Sequence, residues 1–314
     1  MALPVTRDAI TEAYHRIAPH IRHTPLMSLN AQAFALDAAI TFKLEYLQHA
    51  GSFKARGAFN GLLLSPLSKA GVTAASGGNH GAAVAFAARQ LGVTAKIFVP
   101  EISSPIKIAT IRSFGAEVIV GGARYDDAQA ACNAYAEESG AFLIHPFDAP
   151  TTLAGQGTVA LEWEADTTAL PDTVLIACGG GGLIGGTAAW WHNKVKIVGV
   201  EPEGSKCLHA ALEAGAPVSV EVNSVAGDSL GAKRVGQMAF DIAKDAIDHV
   251  ALVSDDAIRQ AQKILWRDFR IMSEPGGAAA LAALLSGAYR PAKGERVGVL
   301  LCGGNVDPAT VASL

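Results

Sequence analysis

Short apolar runs alternate with longer amphipathic stretches along most of this chain of 314 residues. Runs rich in Val, Ile, Leu and Ala that are bounded by Gly, Pro or polar residues are typical of buried strands. They predict strands at residues 40–44, 72–75, 95–99, 117–120, 142–144, 173–177, 195–200, 250–253 and 297–301. The stretches between them predict helices at residues 7–18, 80–91, 105–114, 125–139, 183–192, 205–214, 255–269 and 276–287. Strands that alternate with helices in this way predict an α/β fold with mostly parallel sheets.

The predicted elements fall into two series. Residues 72–144 form a compact β-α-β-α-β-α-β block, and a second series begins at residue 173. The segment 150–157 contains Gly, Pro and Thr, and we interpret it as the crossing between the two series. We therefore expect a small domain at residues 71–148 and a large domain made of residues 1–70 together with 149–314.

Composition and charge narrow the classes of function. Half of the residues are apolar and about a sixth are charged, which is ordinary for a globular protein. The net charge of −4 argues against nucleic acid or an anionic membrane surface as a partner. Four cysteines at these spacings predict neither a disulfide framework nor a zinc motif. The first residues contain no apolar signal segment and no run is long enough to span a bilayer, so we expect a cytoplasmic protein.

One lysine has unusual neighbours. Lys54 lies in the octapeptide Gly-Ser-Phe-Lys-Ala-Arg-Gly-Ala, between small residues and directly after Phe53. Because an ammonium group is costly to bury, a lysine in such surroundings is expected to point into a pocket, where its amine is more easily neutral. A neutral lysine amine can attack an aldehyde to form a Schiff base, which is the chemistry of pyridoxal phosphate enzymes.

Three glycine-containing loops follow predicted strands. Each lies where a strand gives way to a turn, and the first two are followed by a helix: Ser76-Gly77-Gly78-Asn79-His80-Gly81, Cys178-Gly179-Gly180-Gly181-Gly182-Leu183 and Cys302-Gly303-Gly304-Asn305. Backbone N–H groups at a helix N-terminus form a natural anion site, and consecutive glycines let the backbone approach a phosphate closely. The tetraglycine is neither a G-x-G-x-x-G motif nor a P-loop with its Lys-Ser/Thr ending.

In this order and spacing, the lysine and the three loops resemble fold type II pyridoxal phosphate enzymes, and most closely the threonine/serine dehydratase and serine racemase family. The resemblance extends over nearly the whole chain, including 23–26, 154–158 and 274–277. It implies a tryptophan synthase β-like fold, in which two open, mostly parallel α/β domains hold pyridoxal 5′-phosphate in the cleft between them. A homodimer or homotetramer is the family expectation.

The resemblance also implies roles for individual residues. Lys54 would bind the cofactor and later act as acid and base at the substrate Cα. The other cofactor contacts would be Phe53 against the ring, Asn79 at the ring hydroxyl, Gly179, Gly180, Gly181, Gly182 and Leu183 at the phosphate, Cys302 at the pyridine nitrogen, and Glu274 nearby. Substrate contacts would come from Ser76, Gly77, Asn79 and His80, with backbone N–H groups holding the carboxylate.

Five of these residues also have a structural explanation. Ser76 or Asn79 can cap the following helix, and Glu274 can be a carboxylate at a helix start. Phe53 can be a core aromatic residue, and Cys302 can be a buried thiol at a strand end.

The chain departs from its relatives at three places. Serine racemases of this family carry a second acid/base serine where this chain has Gly77, so racemisation is expected to be poor. Their divalent-cation site uses a glutamate and a downstream aspartate, and here Glu201 is present but Cys207 takes the aspartate position, so no metal is predicted. Biosynthetic threonine dehydratases carry a C-terminal regulatory domain, and with the sequence ending at Leu314 we expect no feedback control of that kind.

These observations predict an ammonia-lyase that deaminates a β-hydroxy-α-amino acid, L-threonine or L-serine, by β-elimination. One alternative substrate is 3-hydroxyaspartate or another bulkier β-hydroxy amino acid, for which a cleft-facing Arg124 would read a second carboxylate. A second alternative is an amino-acid racemase. A non-catalytic cofactor-binding protein is the third, although neither the lysine nor any glycine loop is lost.

Overall fold

The computed structural model describes residues 3–30, 33–66 and 68–312, and it contains two sheets. The strands, in chain order, are β1 (Leu26–Ser28), β2 (Ala38–Lys43), β3 (Val72–Ala75), β4 (Ala95–Val99), β5 (Glu117–Val120), β6 (Phe142–Leu143), β7 (Thr173–Ala177), β8 (Lys196–Pro202), β9 (His249–Val253) and β10 (Glu295–Leu300). All nine strands predicted from apolar runs occur within two residues of their expected bounds, and β1 was not predicted.

The helices pack on the faces of these sheets. They are α1 (Arg7–Ile17), α2 (Lys54–Leu64), α3 (Asn79–Gln90), α4 (Pro105–Ser113), α5 (Tyr125–Ser139), α6 (Pro150–Asp166), α7 (Gly182–Trp191), α8 (Cys207–Ala214), α9 (Gly227–Leu230), α10 (Gln237–Ala246), α11 (Asp255–Phe269), α12 (Pro275–Ser286) and α13 (Pro308–Ala312). No helix among the described residues is long and apolar enough to cross a membrane.

The larger sheet has the strand order β1-β2-β10-β7-β8-β9, and only β1 runs antiparallel to its neighbour. The smaller sheet has the order β5-β4-β3-β6 and is parallel throughout. Strands β3, β4 and β7 are buried on both faces or nearly so, as expected when helices cover a parallel sheet. The α/β class with mostly parallel sheets is therefore confirmed.

The segment 150–157 is a correction to the sequence analysis. We interpreted it as a crossing, but it forms the first half of the 17-residue helix α6. A Cβ added to Gly155 would lie 2.7 Å from the Gly57 Cα atom, and one added to Gly157 would lie 2.8 Å from the Gly186 carbonyl oxygen. These glycines therefore allow α2 and α7 to pack closely against α6, and they do not mark a loop.

Two large apolar cores accompany the two sheets, and a third, small cluster of Ala75, Phe98, Ala128 and Cys132 joins the smaller sheet to α5. The larger core surrounds the six-stranded sheet, and the smaller core combines β3, β4, α3 and α4 with Ala55, Phe59 and Leu62 of α2. Helix α2 thus packs on the smaller core although its sequence precedes residue 71. The domain boundaries at 71 and 148 remain a prediction.

Candidate active site

Three neighbouring strands of the larger sheet lead to the candidate site at their carboxyl ends. β2, β10 and β7 are adjacent and parallel, so the segments that follow them meet at one edge of the sheet. The segments that follow β2 and β10 also pair with each other. Ser52 forms an isolated β-bridge with Gly303, and the Phe53 N–H donates to the Cys302 carbonyl at 3.2 Å. This pairing brings the start of α2 next to Cys302.

A cleft opens at this edge. All ten residues predicted to contact the cofactor line it: Phe53, Lys54, Asn79, Gly179, Gly180, Gly181, Gly182, Leu183, Glu274 and Cys302. The structure thus brings the predicted set together in one cavity, while the individual roles remain predictions.

Lys54 is the first residue of α2 and is half-buried. Its Nζ atom donates a hydrogen bond to the Pro146 carbonyl at 2.7 Å and lies 5.2 Å from the centre of the Phe53 ring. Burial lowers the pKa of Lys54 to about 8, against the opposing influence of Cys302 and Glu274. A much larger fraction of this amine is therefore neutral near physiological pH than of an exposed lysine.

The tetraglycine loop joins β7 to α7, and its shape requires glycine. Gly181 has a φ of 93°, in the left-handed region, and a Cβ there would lie 2.5 Å from the Ala239 Cβ atom. A Cβ on Gly180 would meet the Phe147 ring at less than 3.0 Å. The loop therefore presents bare backbone at the N-terminus of α7, where N–H groups favour an anion.

Asn79 and Glu274 form a polar wall of the cleft. The Asn79 amide donates to the Glu274 carboxylate at 2.5 Å and accepts a hydrogen bond from Asn305 at 2.8 Å. The second carboxylate oxygen of Glu274 is buried and has no hydrogen-bond partner among the described residues. Burial raises the pKa of Glu274 to about 7, and Lys107, whose Nζ atom is 4.0 Å away, acts in the opposite direction.

Cys302 contributes a neutral thiol. Its side chain is buried and lies 3.7 Å from the Gly276 carbonyl oxygen. Burial, followed by the nearby Glu274 carboxylate, raises the pKa of this thiol well above its usual range. The thiol therefore stays protonated at physiological pH.

The predicted substrate residues outside the lining set lie in the loop after β3 and, for His80, in the first turn of α3. The Ser76 hydroxyl accepts a hydrogen bond from the Gly78 N–H at 3.2 Å, and Gly77 follows it directly. His80 is buried, its ring lies 2.8 Å from the Ile144 carbonyl oxygen, and burial lowers its pKa to about 3. Arg124 is exposed at the start of α5 and does not line the cleft.

Two groups of residues were considered as cation sites: Glu201 with Cys207, and His23 with Glu162 and Asp166. Neither is arranged as an open cation site. Glu201 accepts hydrogen bonds from the Leu208 and His209 N–H groups, both at 2.9 Å, and Cys207 lies 3.3 Å from the Gly179 carbonyl oxygen. His23, Glu162 and Asp166 also approach one another, but the Lys43 ammonium lies 2.7 Å from Glu162 and 3.7 Å from Asp166. Those two carboxylates are therefore already paired with the ammonium group of Lys43.

Several lining residues escaped the sequence analysis. Phe147 follows β6, so the rule that ligands lie beyond the carboxyl ends of strands would have found it. Ser229 and Leu230 belong to the short helix α9, which follows no strand, and only the close approach of Leu230 to Gly179 reveals their place. Asn305 supports Asn79 from outside the lining set.

These residues fit pyridoxal 5′-phosphate. The cofactor needs a lysine that can be neutral, a cradle for its phosphate and polar partners for its ring. Lys54 meets the first need, and the glycine loop, whose packing leaves no room for a Cβ at Gly180 or Gly181, meets the second. The orphaned oxygen of Glu274 leaves a buried acceptor available in the cleft.

Known proteins that are similar to this chain support a site for pyridoxal 5′-phosphate. Residues 17–303 match the family model described as pyridoxal-phosphate dependent enzyme. The chain is 37% identical to a phenylserine dehydratase of Ralstonia pickettii, over 97% of this chain and 94% of the relative, and 40% identical to an L-threonine ammonia-lyase of Geobacter sulfurreducens, over 99% and 77%.

Solved structures give the same result. Maize serine racemase superposes with a TM-score of 0.92 at 34% identity, covering 99% of this chain and 96% of that one. A threonine deaminase from T.th. superposes with a TM-score of 0.90 at 37% identity, covering 96% and 99%. The resemblance to fold type II enzymes and the cofactor predicted from it are thus confirmed. The chain belongs to the family of pyridoxal-phosphate-dependent enzymes, and within it to the relatives of the threonine/serine ammonia-lyases.

Proposed function

We propose that this protein deaminates L-threonine or L-serine by β-elimination, giving a 2-oxo acid and ammonia. The Cα–H bond and the Cβ–O bond break, water leaves, and hydrolysis of the resulting enamine-type product returns one water. The atoms of the amino acid are therefore divided between the 2-oxo acid and ammonia. The observation that carries this proposal is the pairing of Lys54, at the start of α2, with the neutral thiol of Cys302 in one cleft.

The chemistry divides between the cofactor and the chain. When bound, pyridoxal 5′-phosphate supplies an electron sink for the electron pair that remains on Cα when the Cα–H bond breaks. Lys54 removes that proton, because burial keeps its pKa at about 8 and so within reach of the working pH. His80 is a poor candidate for this base, since its ring is tied to the Ile144 carbonyl and its pKa is about 3.

The thiol of Cys302 bears on the type of reaction. A neutral thiol does not stabilise a protonated nitrogen beside it. A negatively charged carboxylate would favour protonation of that nitrogen and so strengthen the electron sink. A weaker sink shortens the lifetime of a carbanion and favours prompt loss of a β-hydroxyl group. Elimination is therefore favoured over transamination.

The alternatives receive less support. Gly77 carries no side chain with which to return a proton, which disfavours a racemase, although serine racemases are among the relatives. Arg124 is exposed and outside the lining set, so the feature that would favour 3-hydroxyaspartate is missing. We further propose that residues 71–148 act as a substrate-closing domain and that the protein works as a homodimer or homotetramer.

The proposal is tested by measuring 2-oxo acid and ammonia release from the purified protein loaded with cofactor. Substrates are L-threonine, L-serine, 3-hydroxyaspartate stereoisomers and phenylserine, the last because a relative bears that name. We expect turnover of L-threonine or L-serine and its loss in Lys54→Ala. Lys293→Ala, which changes a lysine on the surface with a side-chain exposure of 89%, is the matched control and should retain full activity.

The outcomes separate the possibilities. Activity restricted to phenylserine or hydroxyaspartate would replace the proposed substrate and keep the reaction. Formation of the opposite stereoisomer without oxo acid would make the protein a racemase. Equal activity of Lys54→Ala and wild type would contradict the proposed role of Lys54.

A further inference from the structure

The space beside Gly77 is already filled by a side chain from another loop. A Cβ added to Gly77 would lie 2.7 Å from the Ser103 Cβ atom and closer still to the Ser103 hydroxyl oxygen. The next neighbour is the Val99 Cβ atom at 3.8 Å. Ser103 therefore occupies the volume that a side chain at position 77 would need.

The backbone explains why two separate loops meet here. β3 and β4 are parallel neighbours, with Ala75 opposite Phe98, and the Ser76 N–H donates to the Phe98 carbonyl at 3.0 Å. Beyond β4 the chain turns, and the Ser103 N–H donates to the Pro100 carbonyl at 3.0 Å. This turn directs the side chain of Ser103 back toward the loop after β3.

The Ser103 hydroxyl lacks a hydrogen-bond partner within the described structure. The residue is half-buried, and its hydroxyl makes no hydrogen bond to any of the residues that the structure describes. Ser76, in contrast, already accepts a hydrogen bond from the Gly78 N–H. The Ser103 hydroxyl is reached by solvent, so it is free to bond a ligand that binds at this loop.

We propose that Ser103 is a substrate-binding residue, whose hydroxyl lies beside Gly77 and donates a hydrogen bond to the substrate carboxylate. The inference rests on the proposed function, because it assumes that an amino acid binds at the Ser76–Gly81 loop. It makes the side chains at positions 77 and 103 mutually exclusive, so that one hydroxyl can be supplied from either loop but not from both.

The experiment uses a ligand that binds without reacting. α-Methyl-L-serine lacks the Cα hydrogen that must be removed, so its dissociation constant can be measured by calorimetry on the protein loaded with cofactor. Ser103→Ala is expected to weaken binding about tenfold, the size of effect typical of hydrogen bonds to charged groups. Gly77→Ser alone should weaken binding as well, because its side chain collides with Ser103.

A double substitution distinguishes a binding role from simple space filling. In Gly77→Ser with Ser103→Gly the hydroxyl moves to the other loop, and binding should return to within about threefold of wild type. Ser104→Ala is the matched control, because Ser104 is the next residue, is exposed and makes no capping hydrogen bond. It should leave binding unchanged. Thermal unfolding and cofactor content of each variant report separately on folding.

Each result decides the matter. Wild-type affinity in Ser103→Ala, with normal binding by the wild-type protein, would overturn this inference and leave the proposed function intact. A double variant that binds no better than Gly77→Ser alone would also overturn it. A wild-type protein that neither binds α-methyl-L-serine nor turns over L-serine or L-threonine would overturn the proposed function and this inference together.

Discussion

Glu274 is a residue of the cleft whose charge depends on its surroundings. Its carboxylate is buried, with one oxygen bonded to Asn79 and the other without a partner among the described residues. The charged groups that face it from neighbouring elements are Lys107 of α4, Asp228 of α9 and Lys54 of α2. Burial dominates, so the folded protein holds the proton up to about pH 7, whereas the unfolded chain releases it near pH 4.5.

This difference predicts how stability changes with pH. Between about pH 4.5 and 7 the unfolded state has lost the proton that the folded state keeps, so the free energy of unfolding falls as the pH rises. From pH 5 to pH 8 the cofactor-free wild type should lose roughly 2–3 kcal/mol more than Glu274→Gln, which keeps an acceptor for Asn79 and does not titrate. Urea unfolding at both pH values measures the difference, and parallel losses in the two proteins would contradict it.

The residues of the cleft differ in how far the sequence reveals them. Lys54, the glycine loop and Cys302 follow strand ends, and adjacent parallel strands bring such segments together, so these residues could be predicted as one site. Ser229 and Leu230 could not, because only three-dimensional packing places α9 over the glycine loop. The contact of Ser103 with Gly77 was hidden for the same reason: the two residues lie in different loops.

At the scale of the element, the loop between β7 and α7 depends on the absence of side chains. Gly180 faces the ring of Phe147. The position of the loop is also fixed by a hydrogen bond from the Gly236 N–H to the Gly180 carbonyl at 3.1 Å. A rigid aromatic ring cannot yield as the end of a flexible side chain would. A Cβ at this position must therefore displace either the ring or the loop.

Gly180→Ala is accordingly expected to destabilise the protein by about 1–3 kcal/mol and to weaken cofactor binding. Gly121→Ala is the control, because a Cβ there meets nothing within 4 Å and its φ is not positive. That variant should match wild type or gain slightly from a less flexible unfolded chain. Chemical denaturation gives the stability, and cofactor titration gives the affinity. Wild-type affinity in Gly180→Ala would show that the ring moves aside freely.

The prediction of α6 as a crossing shows where sequence patterns mislead. Pro150, Gly155 and Gly157 are ordinary signals of a loop, yet Pro150 starts the helix and the glycines face α2 and α7. Their physical role is close approach between helices, which a single sequence cannot distinguish from flexibility. The helices α9, α10 and α13 were missed altogether.

At the scale of the whole molecule, a buried charge network joins segments that are far apart in sequence. Arg56 of α2 donates to Glu45 at 2.6 Å and to Glu162 of α6 at 2.9 Å, and Lys43 of β2 donates to Glu162 at 2.7 Å. All four side chains are essentially inaccessible to solvent. Because Arg56 lies two residues after Lys54, the network fixes the helix that presents the lysine to the cleft.

Arg56→Met should therefore be strongly destabilising, by about 3–5 kcal/mol, because the buried Glu45 carboxylate loses the cation that it pairs with and Glu162 keeps Lys43. Arg56→Lys should not rescue it, since an ammonium cannot reproduce the bidentate geometry of the guanidinium group. Arg267→Met is the control: Arg267 also bonds a carboxylate at 2.6 Å, that of Asp268, but on the surface, where such pairs contribute less than about 1 kcal/mol. Denaturant unfolding of the three variants tests this. A loss in Arg56→Met no larger than that in Arg267→Met would mean that hydrophobic packing, and not the charge network, holds α2 in place.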